Sequence, residues 1–269
     1  MVRIESWTRW PWLRHGFSTR RGGISIVYGN PSDLNLGWTK EDDPALVAEN
    51  RRRFVRSVGG ESRQAGWRLV TVRQVHSNAV HLVGDEALTG SLETAEGKAV
   101  LEGDGLMTQV PGVMIAVGTA DCVPVLVVDT RLRAVATLHA GWRGTVAGIA
   151  ERGVEAMRTE YGSRVEDLVA AIGPAIGACC YAVGDEVRAG FGARYSYADA
   201  LFRNVGTALH VDLWEANRRQ LLNAGLRAEQ IEVVGECTAC ARDQGGLRYF
   251  SHRGERGVAG RMLSAVAVM

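Results

Sequence analysis

The centre of the chain carries three short apolar runs, Val113–Val117, Val125–Val128 and Ala134–Leu138, each rich in β-branched residues and without an alternating polar face. Such runs predict strands buried on both sides. Thr130-Arg131-Leu132-Arg133 is short enough to close the last two into a hairpin. Before this block, residues 16–37 read as strand, turn, strand about Arg20-Arg21-Gly22-Gly23, and residues 68–75 and 79–83 as short strands on either side of His76. Residues 44–58 have helical signals, with Asp43 as cap, Pro44 in the first turn and Gly59-Gly60 as the stop. A second helix is predicted from Thr145 to Tyr161, ending at Gly162. A third starts at Asp212-x-x-Glu215 and ends at Gly225, and Ile231–Val234 is a further strand. Strands and helices mix without βαβ alternation, which favours an α+β fold with mixed sheets over a doubly wound parallel one.

Composition narrows the function. Basic and acidic side chains number 31 and 30, so nothing points to a nucleic-acid or polyanion partner. No apolar run approaches the length of a membrane span. The start, Met1-Val2-Arg3-Ile4-Glu5-Ser6-Trp7, lacks the apolar core of a secretory signal. The five cysteines are an odd set in a long chain without such a signal, and the expected compartment is a reducing cytoplasm with free thiols.

Three residues stand out against this background: His76 before Ser77-Asn78, Cys122 in Ala120-Asp121-Cys122-Val123-Pro124, and His139 in His139-Ala140-Gly141-Trp142-Arg143-Gly144. Each lies beside a strand end or loop. Two imidazoles and one thiolate are a good zinc ligand set that leaves a fourth position for water or substrate. An isolated cysteine most often fills a core, but Asp121 beside Cys122 is an odd choice for core filling. The strand, glycine turn and helix start around His139 are an anion-binding geometry, and Arg143 can add a bidentate clamp there. Cys237-Thr238-Ala239-Cys240 has CxxC spacing and, with Cys179-Cys180, would supply four thiolates. Adjacent cysteines rarely both hold one ion, so these four read as structural thiols. Arg248, Arg253, Arg256 and Arg261, set among glycines, read as solvated surface rather than as an anion patch.

Taken in order, the strings His15-Gly16-Phe17-Ser18-Thr19-Arg20, Asn35-Leu36-Gly37, Glu49-Asn50-Arg51, Gln74-Val75-His76, Thr119-Ala120-Asp121-Cys122-Val123-Pro124, His139-Ala140-Gly141-Trp142-Arg143-Gly144, Gly173-Pro174-Ala175-Ile176-Gly177, Cys179-Cys180-Tyr181, Asp212-Leu213-Trp214, Cys237-Thr238 and Phe250-Ser251 closely resemble the laccase-domain family. That family is also called polyphenol oxidase, YfiH-type or peptidoglycan editing factor. The resemblance runs from about residue 13 to the C-terminus. It implies one domain over residues 1–269, of mixed β-sheets flanked by helices, with zinc on His76, Cys122 and His139. It also implies phosphorolysis of adenosine, inosine and methylthioadenosine, with deamination of adenosine. The partners are then a small nucleoside and phosphate. Arg20, Arg51 or Arg143 would cradle phosphate, Asn35 would lie with the substrate-binding groups, and Asp104 or, second, Asp121 would carry the proton. The chain departs from the family at Ala182, where Glu is usual, at Gly37-Trp38-Thr39-Lys40, and at His252, where Tyr is usual.

Two other activities compete. Copper can occupy a His/His/Cys set, but six histidines without a His-x-His pair are a poor match for a multicopper oxidase. A metal-free amidase would use Cys122 as nucleophile and His139 as base, in keeping with the peptidoglycan-editing name.

Overall fold

The structure is a computed structural model describing residues 1–60, 66–89, 92–94 and 96–269. Two mixed sheets stack face to face. The four-stranded sheet has the order Leu13–Phe17, Met262–Val268, Val113–Thr119, Arg68–Thr71, with only its last pair parallel. The six-stranded sheet has the order Ile231–Val233, Leu168–Ile172, Val123–Asp129, Ala134–Ala140, Gly105–Thr108, Val80–Leu82, parallel only at its two edges. The expected hairpin is present, with Asp129 opposite Ala134.

Period-two geometry explains why the central runs show no polar alternation. Val113, Ile115 and Val117 point into the layer between the sheets, where they meet Leu126, Val128 and Val135. Met114 and Ala116 point the other way, onto Phe54 and Val58 of helix α1, Pro44–Gly59. Val123, Val125 and Val127 face the opposite helical layer, made by α2 (Trp142–Val146), α3 (Ile149–Tyr161), α4 (Asp185–Gly192) and α5 (Leu213–Asn223). The layers therefore run helix, sheet, sheet, helices, and strands covered on both faces have no solvent side to keep polar. The fold is α+β with mixed sheets, as expected.

Local signals acted as read at two helices. Asp43 caps α1 by accepting the Ala45 N–H at 2.7 Å, and Asp212 caps α5 by accepting the Glu215 N–H at 3.0 Å. The helix expected from Thr145 to Tyr161 is instead split. It begins at Trp142, and Gly148, at φ +81°, breaks the ladder before α3 starts. Strands Leu168–Ile172 and Met262–Val268 and helix α4 were not read from the sequence. Among the described residues, no helix is long and apolar enough to cross a membrane.

Candidate active site

The segment Ala120-Asp121-Cys122 is where the chain leaves the four-stranded sheet and enters the six-stranded one. His139 lies next to the end of the strand paired with this entry, since Pro124 is opposite His139 and Val123 opposite Ala140. His76 arrives on the loop after Arg68–Thr71. The three side chains thus meet at the rim between the two sheets. Their ligand atoms lie within 4.8 Å of one another, and the two imidazole rings are 4.9 Å apart and nearly perpendicular. Gly141 is required by this convergence. A Cβ there would lie 2.8 Å from His76 Cδ2 and 3.1 Å from Cys122 Sγ.

His76 has φ +62°, a left-handed conformation costly for a residue with a Cβ. What holds it is Asp104, fully buried. The Asp104 carboxylate accepts the successive backbone N–H groups of Val75, His76 and Ser77 at 3.3, 3.0 and 2.5 Å. Consecutive N–H groups turned inward about a left-handed residue form a nest for an anion. Asp104 also accepts the Ser77 hydroxyl at 2.8 Å and faces His139 Nδ1 at 2.8 Å. Burial opposes its ionisation, yet the hydrogen bonds from His139 and Ser77 hold its carboxyl down at about 2. Gln74 fixes the same loop from the other side, exchanging two hydrogen bonds with the Gly118 backbone at 2.7 and 2.8 Å.

The electrostatics favour a cation at this point. Burial alone would raise the Cys122 thiol, but the charge and hydrogen bond of His139, then those of His76, bring it down to about 6. Burial alone would lower His139, but the Cys122 sulfur and Asp104 lift it to about 9. A thiolate and a carboxylate thus flank one imidazole, and a soft divalent ion fits this donor set.

A cavity of about 700 Å³ opens over the trio and includes Arg51, Asp121, Tyr181, Arg253 and Arg261 in its wall. Asp121 sits at φ +96°, held by Thr238 Oγ1 and Ser251 Oγ on one oxygen and by the Arg253 N–H on the other, at 2.6 to 2.7 Å. Arg51 is buried and held by the Leu36 carbonyl at 3.1 Å, with burial pulling its guanidinium down to about 10 despite Glu93. Trp38, Lys98 and His252 also line the space. Tyr181 is pushed up to about 12, first by burial and then by Cys122, and keeps its proton.

Other expected residues lie elsewhere. Asp104 sits behind the two histidines with every carboxylate direction used, so it does not suit the expected part of proton carrier to a substrate. Arg20 does not suit a phosphate cradle. Its guanidinium grips Asp33 through two bonds of 2.9 and 2.7 Å and also reaches Glu255 and the Tyr28 carbonyl. Asn35 is fully buried, joining Asp42 and the backbone of Gly37 and Arg261. Arg143 is exposed, its guanidinium 4.3 Å from the Trp142 ring centre, and does not line the cavity. Arg253 and Arg261, read as solvated surface, do line it. The four remaining cysteines, read as structural thiols, also come together, within 4.8 Å of one another.

The family described as multi-copper polyphenol oxidoreductase laccase matches residues 14–269. A purine nucleoside phosphorylase of Bacteroides thetaiotaomicron is 35% identical over 271 residues, covering 100% of this chain and 96% of that relative. An adenosine deaminase, RL5, from an unknown prokaryotic organism is 39% identical over 227 residues, 83% of this chain and 84% of the relative. The crystal structure of a hypothetical YfiH protein of Bacillus licheniformis superposes with a TM-score of 0.86 at 34% identity, covering 99% of this chain and 95% of that one. Relatives with these names, together with a His/Cys cluster able to hold a metal, support a metal-binding enzyme.

Proposed function

This chain belongs to the multi-copper polyphenol oxidoreductase laccase family, and we propose that within it the protein is a zinc-dependent purine nucleoside phosphorylase with adenosine deaminase activity. Its substrates are then phosphate and a small nucleoside such as adenosine, inosine or methylthioadenosine. The observation that carries this reading is one cavity that has the His76–Cys122–His139 trio on its floor and Arg51, Arg73, Lys98, Arg253 and Arg261 in its walls. His76, Cys122 and His139 would hold the zinc, which would supply Lewis acidity to the cavity.

The chain's own groups divide the remaining work. Arg51 is held at the cavity wall by its bonds to Leu36 and Thr71, which suits it to a phosphate oxygen. Trp38 offers an apolar ring beside it, and its indole N–H is tied to the Gly97 carbonyl at 3.0 Å. Asp121 is the carboxylate that faces the substrate space, so it takes the part of proton carrier. Tyr181 donates a hydrogen bond. Asp104 is a positioning residue that orients both histidines.

One observation favours a second reading. Asp104, His139 and Cys122 form a carboxylate–imidazole–thiol chain, the arrangement of a cysteine hydrolase. His76→Ala separates the two. The zinc enzyme loses metal and activity together, whereas a Cys122–His139 dyad keeps most of its rate and ignores chelators.

The direct test is product analysis of adenosine with and without phosphate, alongside metal content. Adenine and ribose 1-phosphate formed only with phosphate support the phosphorylase, and inosine formed without it supports the deaminase. Metal-free protein that makes no purine product overturns the reading in favour of the hydrolase.

A further inference from the structure

The nucleoside chemistry leaves a second sulfur cluster unused. Cys179 and Cys180 lie in a tight turn, closed by the N–H groups of Cys180 and Tyr181 on the Gly177 carbonyl at 2.9 and 3.0 Å. Cys237 and Cys240 come from the loop Cys237-Thr238-Ala239-Cys240, which an isolated bridge between Ala175 and Cys237 sets alongside. All four Sγ atoms lie within 4.8 Å of one another, and none is in a disulfide. In an extended chain, adjacent side chains point to opposite faces. In a helical turn they diverge by only about 100°, so both neighbours can reach one point.

The spacing fits an ion better than a bond between sulfurs. Cys179 Sγ and Cys240 Sγ are 3.7 Å apart. Four sulfurs about 2.3 Å from a tetrahedral zinc would lie about 3.8 Å from each other, whereas a disulfide needs about 2.0 Å. The backbone is arranged for a thiolate as well. The Gly177 N–H donates to Cys237 Sγ at 3.3 Å, and the Ala239 N–H points at the same sulfur. Such donors orient a coordinating sulfur and stabilise its charge. Cys179 and Cys240 are exposed, which gives an ion a way in.

We propose that Cys179, Cys180, Cys237 and Cys240 form a closed tetrathiolate zinc site, separate from the His76–Cys122–His139 centre. Four protein ligands leave no position for substrate, so its role is structural. It clamps two segments that serve the cavity. Tyr181 follows Cys180 directly, and Thr238, inside the CxxC loop, donates to Asp121 at 2.6 Å.

The test uses the full chain, purified reduced and loaded with zinc or cobalt(II). Wild type should bind two ions per chain, and the double variants Cys179→Ser/Cys240→Ser and His76→Ala/Cys122→Ala one each. The cobalt form of His76→Ala/Cys122→Ala should show strong thiolate-to-metal charge transfer and tetrahedral ligand-field bands. Because this variant leaves the cysteine cluster intact, it decides the matter even if the serine variant does not fold, and whatever the first centre does. A His76→Ala/Cys122→Ala protein that binds no ion, or binds cobalt without thiolate charge transfer, overturns the proposal.

Discussion

His139 Nδ1 lies 2.8 Å from Asp104 Oδ1, and the same carboxylate holds the backbone of the His76 loop. One buried acid therefore sets the orientation of two candidate ligands on separate segments. Asp104→Asn keeps the shape but replaces one acceptor with a donor facing N–H groups. Its metal affinity should fall by about 10- to 100-fold, as measured by competition with a chromophoric chelator. Unchanged affinity would sink the positioning role.

Gly141 leaves room for His76 and Cys122 to meet. Gly141→Ala should displace the His76 ring, weaken metal binding, and cost about 1–3 kcal/mol of stability by overpacking. Denaturant melts and metal content check both effects. The backbone conformation at Gly141 is ordinary, φ −66°, so a variant that behaves as wild type would mean that the ring yields freely.

Arg51 tests the anion assignment. Arg51→Met should raise the KM for phosphate by about ten- to a hundredfold, the loss of a charge-assisted hydrogen bond, with a smaller effect on the KM for nucleoside. Equal rises for both substrates in steady-state kinetics would show that Arg51 only supports the wall.

His15 offers a pH test away from the site. It is 6% exposed, its Nε2 accepts the Ile4 N–H at 2.9 Å, and burial followed by the charge of Arg3 holds its pKa at about 4. The unfolded chain takes up this proton near pH 6.5, before the folded protein does. The stability contributed by neutral His15 is therefore complete above that pH and is lost as pH falls from about 6.5 to about 4, up to about 3 kcal/mol. His15→Gln keeps an acceptor without titrating. Denaturant unfolding should show a smaller loss for this variant than for wild type between neutral pH and pH 4, and parallel curves would refute the assignment.

The convergence of His76, Cys122 and His139 was legible because punctuation surrounds them: a turn pair after His76, a proline after Cys122, glycines after His139. The partners of Arg20, Asn35 and Asp104 were not. A buried arginine paired with Asp33 and an arginine facing a ligand look alike in a string, and only the fold shows which partner is in reach. Arg253 is exposed, as read, but its place in the cavity wall was not legible. A glycine-rich arginine tail resembles surface until the Asp121 carboxylate captures the Arg253 N–H and draws the tail over the cavity. The cysteine quartet was discounted on sequence adjacency, an argument that holds for extended chain but not for a turn. The layered core was legible in its central strands, while Met262–Val268 had no turn or hairpin signal to tie it to its distant partners.

That strand lies between Leu13–Phe17 and Val113–Thr119 and pairs with both. The N-terminal strand thus has no sheet to join until residues near 268 have been translated and have cleared the ribosome. The four-stranded sheet therefore cannot close before Met262–Val268 is available to pair, whatever has folded ahead of it.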